Sequence, residues 1–367
     1  MLNLEIIKTI ERYAPPSLQE SWDNTGLQVG SAQEECTGVL ICFDVTPEVV
    51  EEAMSLGYNL IISHHPLFFK GEKRLTGSTP QQVSAMNAIA AGITIYSTHT
   101  ASDSTKGGVS YLLAKQIGVT PLRVLSPLQG KLVRLDVMVP DSHLDDVRIA
   151  LFDAGAGAVG NYDCCSFNIS GTGTFRPLAG SDPSIGEEGV EHQESETMIS
   201  VVLPTDLIDR VEAALLEVHP YETPAYQFIP MLNKLHTYGL GIYGVMDEAL
   251  SPEEFLGHVK KALGASSLRT TRIPDLPDMK IRRVAMCGGA GHEFISKAIS
   301  MGAQAYISAD LKYHDFVDYQ DRILLVDAGH YETESFIKKG LAELLRADYP
   351  DLKEIKCAES DNPVHYF

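Results

Sequence analysis

Two stretches in opposite halves of the chain run through the same order of elements and end in the same chemistry, and this constrains the fold more than any other feature. VLICFDVTPEVVEEAMSLGYNLIISHHPLFF reads as strand, helix, strand, and arrives at His64 and His65. RVAMCGGAGHEFISKAISMGAQAYISADLKYHDF reads the same way and arrives at Asp310 and His314. Placing Gly57 on Gly302 also places Ser63 on Ser308, without a gap through the helix and second strand. Each stretch is followed by a further strand and a His-x3-carboxylate element: ITIY leads to His99 and Asp103, and ILLV leads to His330 and Glu334. A chain duplicated in this way delivers imidazoles and carboxylates from strand ends in both halves, and two related halves facing each other suit a two-metal site.

The surrounding pattern is α/β. LNLEIIKTIERYA has helical spacing and stops at Pro15 and Pro16; TPEVVEEAMSLG has a Thr cap and a Gly stop between two short apolar strands. Ligands of such sheets belong at the carboxyl ends of the strands. Between residues 130 and 235 the pattern changes to β-α-β-β-α-β, the ferredoxin-like order, which predicts an inserted α+β domain within a discontinuous domain of residues 1–129 and 236–367. In the insert, NYDCCSFNISGTGTFRP is expected to be a strand entering a hairpin, and PLAGSDPSIGEEGVEHQESE a polar loop. Trp22 in SWDNTG is expected to anchor packing, with Asp23 and Asn24 beside a cleft.

His64 and His65 follow the apolar run NLIIS, and Pro66 forces the backbone out of the strand directly after them. At a strand end the alternation of side chains relaxes, so neighbouring imidazoles can serve different ions of a pair. With the two His-x3-carboxylate elements this predicts a metal site of neutral imidazoles and carboxylates. Such a donor set suits zinc, iron, manganese or cobalt, with a carboxylate such as Glu334 or Asp103 as the bridge. His99 stands open between metal ligand and acid–base group. Asp310 and His314 are expected behind the ligands or in proton transfer, if they do more than stabilise the turn. Lys70, Lys106 and Lys312 follow the relevant strands and are either solvated or phosphate-facing. CGGAGHEF has a Gly-rich turn but neither the Walker ending nor a GxGxxG match, so it is a weak sign of nucleotide binding.

Composition removes several other classes. The 367 residues carry a formal charge of −20, which opposes binding to nucleic acid or an anionic membrane surface. No segment approaches the roughly 18 apolar residues of a membrane span. Glu5 and the lack of a cleavage site argue against a signal peptide, so a cytoplasmic protein is expected. Six Cys without a CxxC make neither a zinc ribbon nor a disulfide framework.

SWDNTGLQVG, ISHHPLFFKG, THTASDSTKGGV, VAMCGGAG, ISADLKYHD and DAGHYETE occur in order over almost the whole chain. Together they resemble the Nif-three-like family, the GTP cyclohydrolase 1 type 2 homologues. The resemblance implies two divalent metal ions per chain held by His64, His65, Asp103, His330 and Glu334, with zinc the expected ion on isolation and iron or manganese the alternatives. Ala101 stands where the family's His-Thr-Asn-x-Asp pattern has Asn, while Asp103 is kept. The insert resembles the PII/CutA-like domain of longer members, including an HPYE element at His219–Glu222 followed by Thr223 in place of the frequent second Glu. The resemblance also implies a homohexameric toroid, a dimer of trimers. Two functions compete: a metal-dependent hydrolase of a nucleotide, nominally GTP, or of a phosphoester; and a non-catalytic metal-handling or regulatory protein.

Overall fold

Three short apolar runs, Val39–Cys42, Leu60–Ser63 and Thr94–Ser97, pair in parallel as neighbours. Ile355–Cys357 extends this sheet in parallel at one side, and Gly26–Val29 closes the other antiparallel to Thr94–Ser97. The second half repeats the arrangement. Ile281–Ala290, Ala305–Ala309 and Leu324–Asp327 are parallel neighbours in a six-stranded sheet flanked by Arg269–Thr270 and by Lys234–Leu250, the latter followed by Val119–Gln129. The computed structural model describes residues 1–272, 280–359 and 362–365.

The strands read as continuous apolar runs because both faces are covered. Val39, Ile41, Leu60 and Ile62 pack against Ile6 and Ile10 of the helix Asn3–Tyr13 and Leu341 of the helix Ile337–Asp348. Leu40, Cys42 and Ile61 face the opposite way, onto Val49, Val50 and Ala53 of the helix Pro47–Leu56. The same alternation splits the second sheet: Val284 and Met286 pack with Phe255 and Val259, while Ala285 and Cys287 pack with Ile295 and Ala298. Gly57 and Gly302, equivalent in the repeat, both hold left-handed backbone, with φ of 72° and 77°, where the chain leaves a helix for the central strand.

The chain divides into two compact units, Met1–Pro127 with His236–Phe367, and Leu128–Leu235. The second has its own antiparallel sheet in the order Phe167–Phe175, His192–Pro204, Leu132–Pro140, Tyr226–Pro230. Val133, Leu135, Val137 and Val139 put one face of the central strand into a core with Val147 and Leu151 of the helix Leu144–Asp153 and Val211 and Leu215 of the helix Ile208–Val218. Two expectations fail here. NYDCC is not strand, because Gly160 and Cys164 hold left-handed backbone (φ 62° and 52°) and the strand starts only at Phe167. The end of the expected polar loop, from His192, is already strand, paired with Phe167–Phe175. Among the described residues, no helix is long and apolar enough to cross a membrane.

Candidate metal centre

The chemistry collects where the parallel strands end. His64 and His65 follow Leu60–Ser63; His99 opens the short helix His99–Ser104 after Thr94–Ser97; Asp310 follows Ala305–Ala309; and His330 opens the helix His330–Glu334 after Leu324–Asp327. The Nε2 atoms of His64, His65 and His330 lie 3.4, 3.4 and 3.0 Å from a single oxygen, Glu334 Oε2. Asp103 Oδ1 lies 3.7 Å from His64 Nε2. His64, His65 and Glu334 each offer a ligand atom within 4.8 Å of the others, the spacing of a metal site.

Each imidazole is held from behind. His65 Nδ1 donates to Asp44 at 2.8 Å and His330 Nδ1 to Asp310 at 2.7 Å. Ser102 donates its hydroxyl to the His99 carbonyl at 2.7 Å, so it accepts from His64 Nδ1, 3.3 Å away, and leaves the His64 Nε2 lone pair facing the cluster. Carboxylates and hydroxyls that fix the far nitrogen of an imidazole are the ordinary support of metal-binding histidines. Phe43 packs beneath, stacked 5.5 Å from His64 and tilted 4.5 Å from His65.

Burial gives these groups divided titration. It lowers His64 to about 4, so this imidazole is neutral near pH 7. Burial also disfavours charge on His65 and His330, but Asp44 and Glu334 raise the first to about 10, and Glu334 and Asp310 raise the second to about 9. Burial and the Glu334 charge push Asp103 well above the usual carboxylate range. Glu334 is deeply buried too, yet His330 and His65 hold it well below that range. Three atoms facing one another, His64 Nε2, Asp103 Oδ1 and Glu334 Oε2, are buried without a hydrogen-bond partner among the described residues. Leaving several such groups unsatisfied is costly, and a divalent cation satisfies all three together. The donors present therefore fit a metal.

The Duf34/NIF3 (NGG1p interacting factor 3) family model matches residues 1–363. The chain belongs to this family. A GTP cyclohydrolase 1 type 2 homolog of Halalkalibacterium halodurans is 38% identical over 350 residues, 95% of this chain and 93% of that protein. A Bacillus cereus protein related to NIF3 superposes with a TM-score of 0.86 at 35% identity, over 100% of this chain and 99% of the other. Staphylococcus aureus protein SA1388 gives 0.78 at 29% identity, over 100% and 99% of the two chains.

In this NIF3-family chain the expected ligands His64, His65, Asp103, His330 and Glu334 are brought together, and Asp310 stands behind His330. His99 is also at the cluster, its ring centre 5.6 Å from that of His64 and 5.4 Å from that of His65. Its Nδ1 donates to Asp23 at 2.6 Å, and its Nε2 has no hydrogen-bond partner among the described residues. Hydrogen bonds from His99 and Thr100 hold Asp23 well below the usual range against the effect of burial. His314 is not brought in. It is exposed on the helix Tyr313–Tyr319, edge-on to Tyr313, and joins none of the cluster's hydrogen bonds or ion pairs. Trp22 is no packing anchor: it is 61% exposed and meets His99 edge-on at 5.7 Å.

The expectations missed Asp44 altogether, although it sits just past the parallel strand Val39–Cys42, as His64 and His65 sit just past Leu60–Ser63. In CGGAG the glycines make room for the candidate ligand. A Cβ on Gly289 would lie 2.1 Å from Glu334 Oε1, and one on Gly288 3.2 Å from Glu334 Cγ, so the two glycines clear the space that the carboxylate occupies.

Proposed function

We propose that the chain is a dinuclear-metal-dependent hydrolase acting on a nucleotide. The observation that carries the proposal is the convergence of three imidazole Nε2 atoms on Glu334 Oε2, beside buried and unpartnered Asp103 Oδ1. In this reading His64, His65, Asp103, His330 and Glu334 hold two divalent ions, with Glu334 shared between them. Such a pair supplies Lewis-acid polarisation of the substrate and acidifies water.

The chain's own residues supply the rest. His99, oriented by Asp23, keeps Nε2 open to accept or return a proton at the reacting group. Beside the cluster, a cleft of about 630 Å³ is lined by Phe43, Phe69, Lys70 and Tyr331, which offers aromatic surface to a base and a cation to a phosphate. The name GTP cyclohydrolase 1 type 2 homolog, carried by a relative, supports a nucleotide as substrate. The homohexameric toroid and a PII/CutA-like class for the unit Leu128–Leu235 belong to this proposal through the family resemblance, its ferredoxin-like class through the element order, and a cytoplasmic location through the sequence reading.

Turnover of a nucleotide and phosphoester panel by zinc-, manganese- and iron-loaded protein tests the reading. Hydrolysis that is lost in His99→Gln while metal content is unchanged is expected. Full metal occupancy with no turnover of any panel member would replace the hydrolase with the metal-handling protein.

A further inference from the structure

The unit Leu128–Leu235 contains a cavity of about 420 Å³, walled by Phe175, Pro177, Ile185 and Tyr221 and carrying the carboxylate of Glu196. Glu196 is only 9% exposed. Its Oε1 accepts the Tyr221 hydroxyl at 2.9 Å, while its Oε2 has no hydrogen-bond partner among the described residues. The space for that carboxylate is made by the neighbouring strand, since a Cβ at Gly173 would meet Glu196 Oε2 at 2.2 Å. Tyr221 is itself held by the backbone: its N–H donates to His219 Nδ1 at 3.1 Å, and His219 Nε2 donates to the Met138 carbonyl at 3.0 Å. Phe175 tilts against Tyr221 with ring centres 5.6 Å apart. Glu222 accepts from the Asp182 backbone N–H at 2.9 Å and so ties the wall residues 181–185 to the HPYE element.

A carboxylate that is nine-tenths buried and turns one oxygen, free of hydrogen bonds to the described residues, toward a cavity offers a cation an anionic partner among apolar walls. Among the residues lining the cavity the one cation is Arg176, which is exposed and forms no ion pair with Glu196. Aromatic faces beside a carboxylate favour a cation with an apolar body over a hydrated inorganic ion. We propose that this cavity binds a small organic cation, an ammonium or guanidinium group on a short apolar chain, with Glu196 Oε2 taking the charged head and Phe175 and Tyr221 the body. The site is separate from the metal cluster: none of its residues is a candidate ligand, and it lies wholly within the smaller unit.

Calorimetric titration of the metal-loaded full chain with n-butylammonium, n-butylguanidinium and neutral n-butanol tests the proposal, with backbone NMR shifts of Gly173 and Tyr221 locating the binding. Saturable binding of the cations is expected, with n-butanol weaker by at least ~10-fold, because a hydrogen bond to a charged group is lost. Glu196→Gln should weaken the cations to the n-butanol level without changing metal content, and Arg176→Gln should leave cation affinity unchanged or raise it by removing a competing charge. If Glu196→Gln fails to fold, the wild-type shifts and Phe175→Leu decide, the latter weakening the cations while leaving Glu196 in place. Equal binding of cation and alcohol, shifts confined to other residues, no binding of either cation, or a loss of binding in Arg176→Gln would each overturn the proposal, the last by marking an anion site.

Discussion

At Gly289 a single methyl group tests whether the candidate metal centre depends on close packing behind the Glu334 carboxylate. The residue has φ of 61°, and an added Cβ would overlap Glu334 Oε1 at 2.1 Å. Gly289→Ala is therefore expected to displace Glu334 and strip metal from the protein, while Gly257→Ala, in open space on an outer helix, leaves metal content unchanged. Elemental analysis of the two purified variants checks this. Behind the imidazoles, Asp44→Asn and Asp310→Asn should each weaken metal affinity by about 10- to 100-fold, as loss of an orienting acceptor does. Competition with a chromophoric chelator measures it, and unchanged affinity would mean that the ring positions are set by packing alone. The candidate ligands were legible because each lies within a few residues of the end of a short apolar strand. The pairing of His99 with Asp23 was not, since 76 residues separate them and only the folded chain brings the two together. His314 was drawn in by its position in the repeat, but the helix that carries it turns the imidazole to solvent.

Among the elements, the parallel strands were the most legible, because burial on both faces writes them as uninterrupted apolar runs bounded by caps and glycines. The strands of the smaller unit were less so. Phe167–Phe175 is largely exposed and holds Gly171 and Gly173, so neither alternation nor apolar content marks its start; its pairing with His192–Pro204 does. The helix Ile208–Val218 ends at His219, whose two ring nitrogens are both used in the neutral form: Nε2 donates to Met138 and Nδ1 accepts from Tyr221. Burial lowers its pKa below the ordinary value of about 6.5. The unfolded chain therefore takes up a proton at a pH where the folded chain does not, and this contribution to stability is full above about pH 6.5 and is lost as pH falls toward the folded value. NMR titration is expected to show the His219 ring as the neutral Nε2–H tautomer at pH 6.5 and protonating below it, with the unit's urea midpoint falling over the same range. A ring that titrates near 6.5 without affecting the midpoint would contradict this account.

For the whole molecule, the division into two units has a direct consequence. Every candidate ligand lies in Met1–Pro127 or His236–Phe367. The strands on either side of the insert, Val119–Gln129 and Lys234–Leu250, are neighbours in one sheet, so a short linker can replace Leu128–Leu235. The shortened chain is expected to fold and bind metal as the full chain does, which circular dichroism and elemental analysis check; a folded but metal-free product would show that the smaller unit supplies a ligand. The central claim is that five side chains from the two related halves share two ions through Glu334, and metal stoichiometry tests it most directly. Elemental analysis of metal-replete protein, with anomalous scattering to place the ions, is predicted to give two per chain, falling to one or none in Glu334→Ala. One ion per chain under replete conditions, with His64 or His330 left unligated, would contradict it.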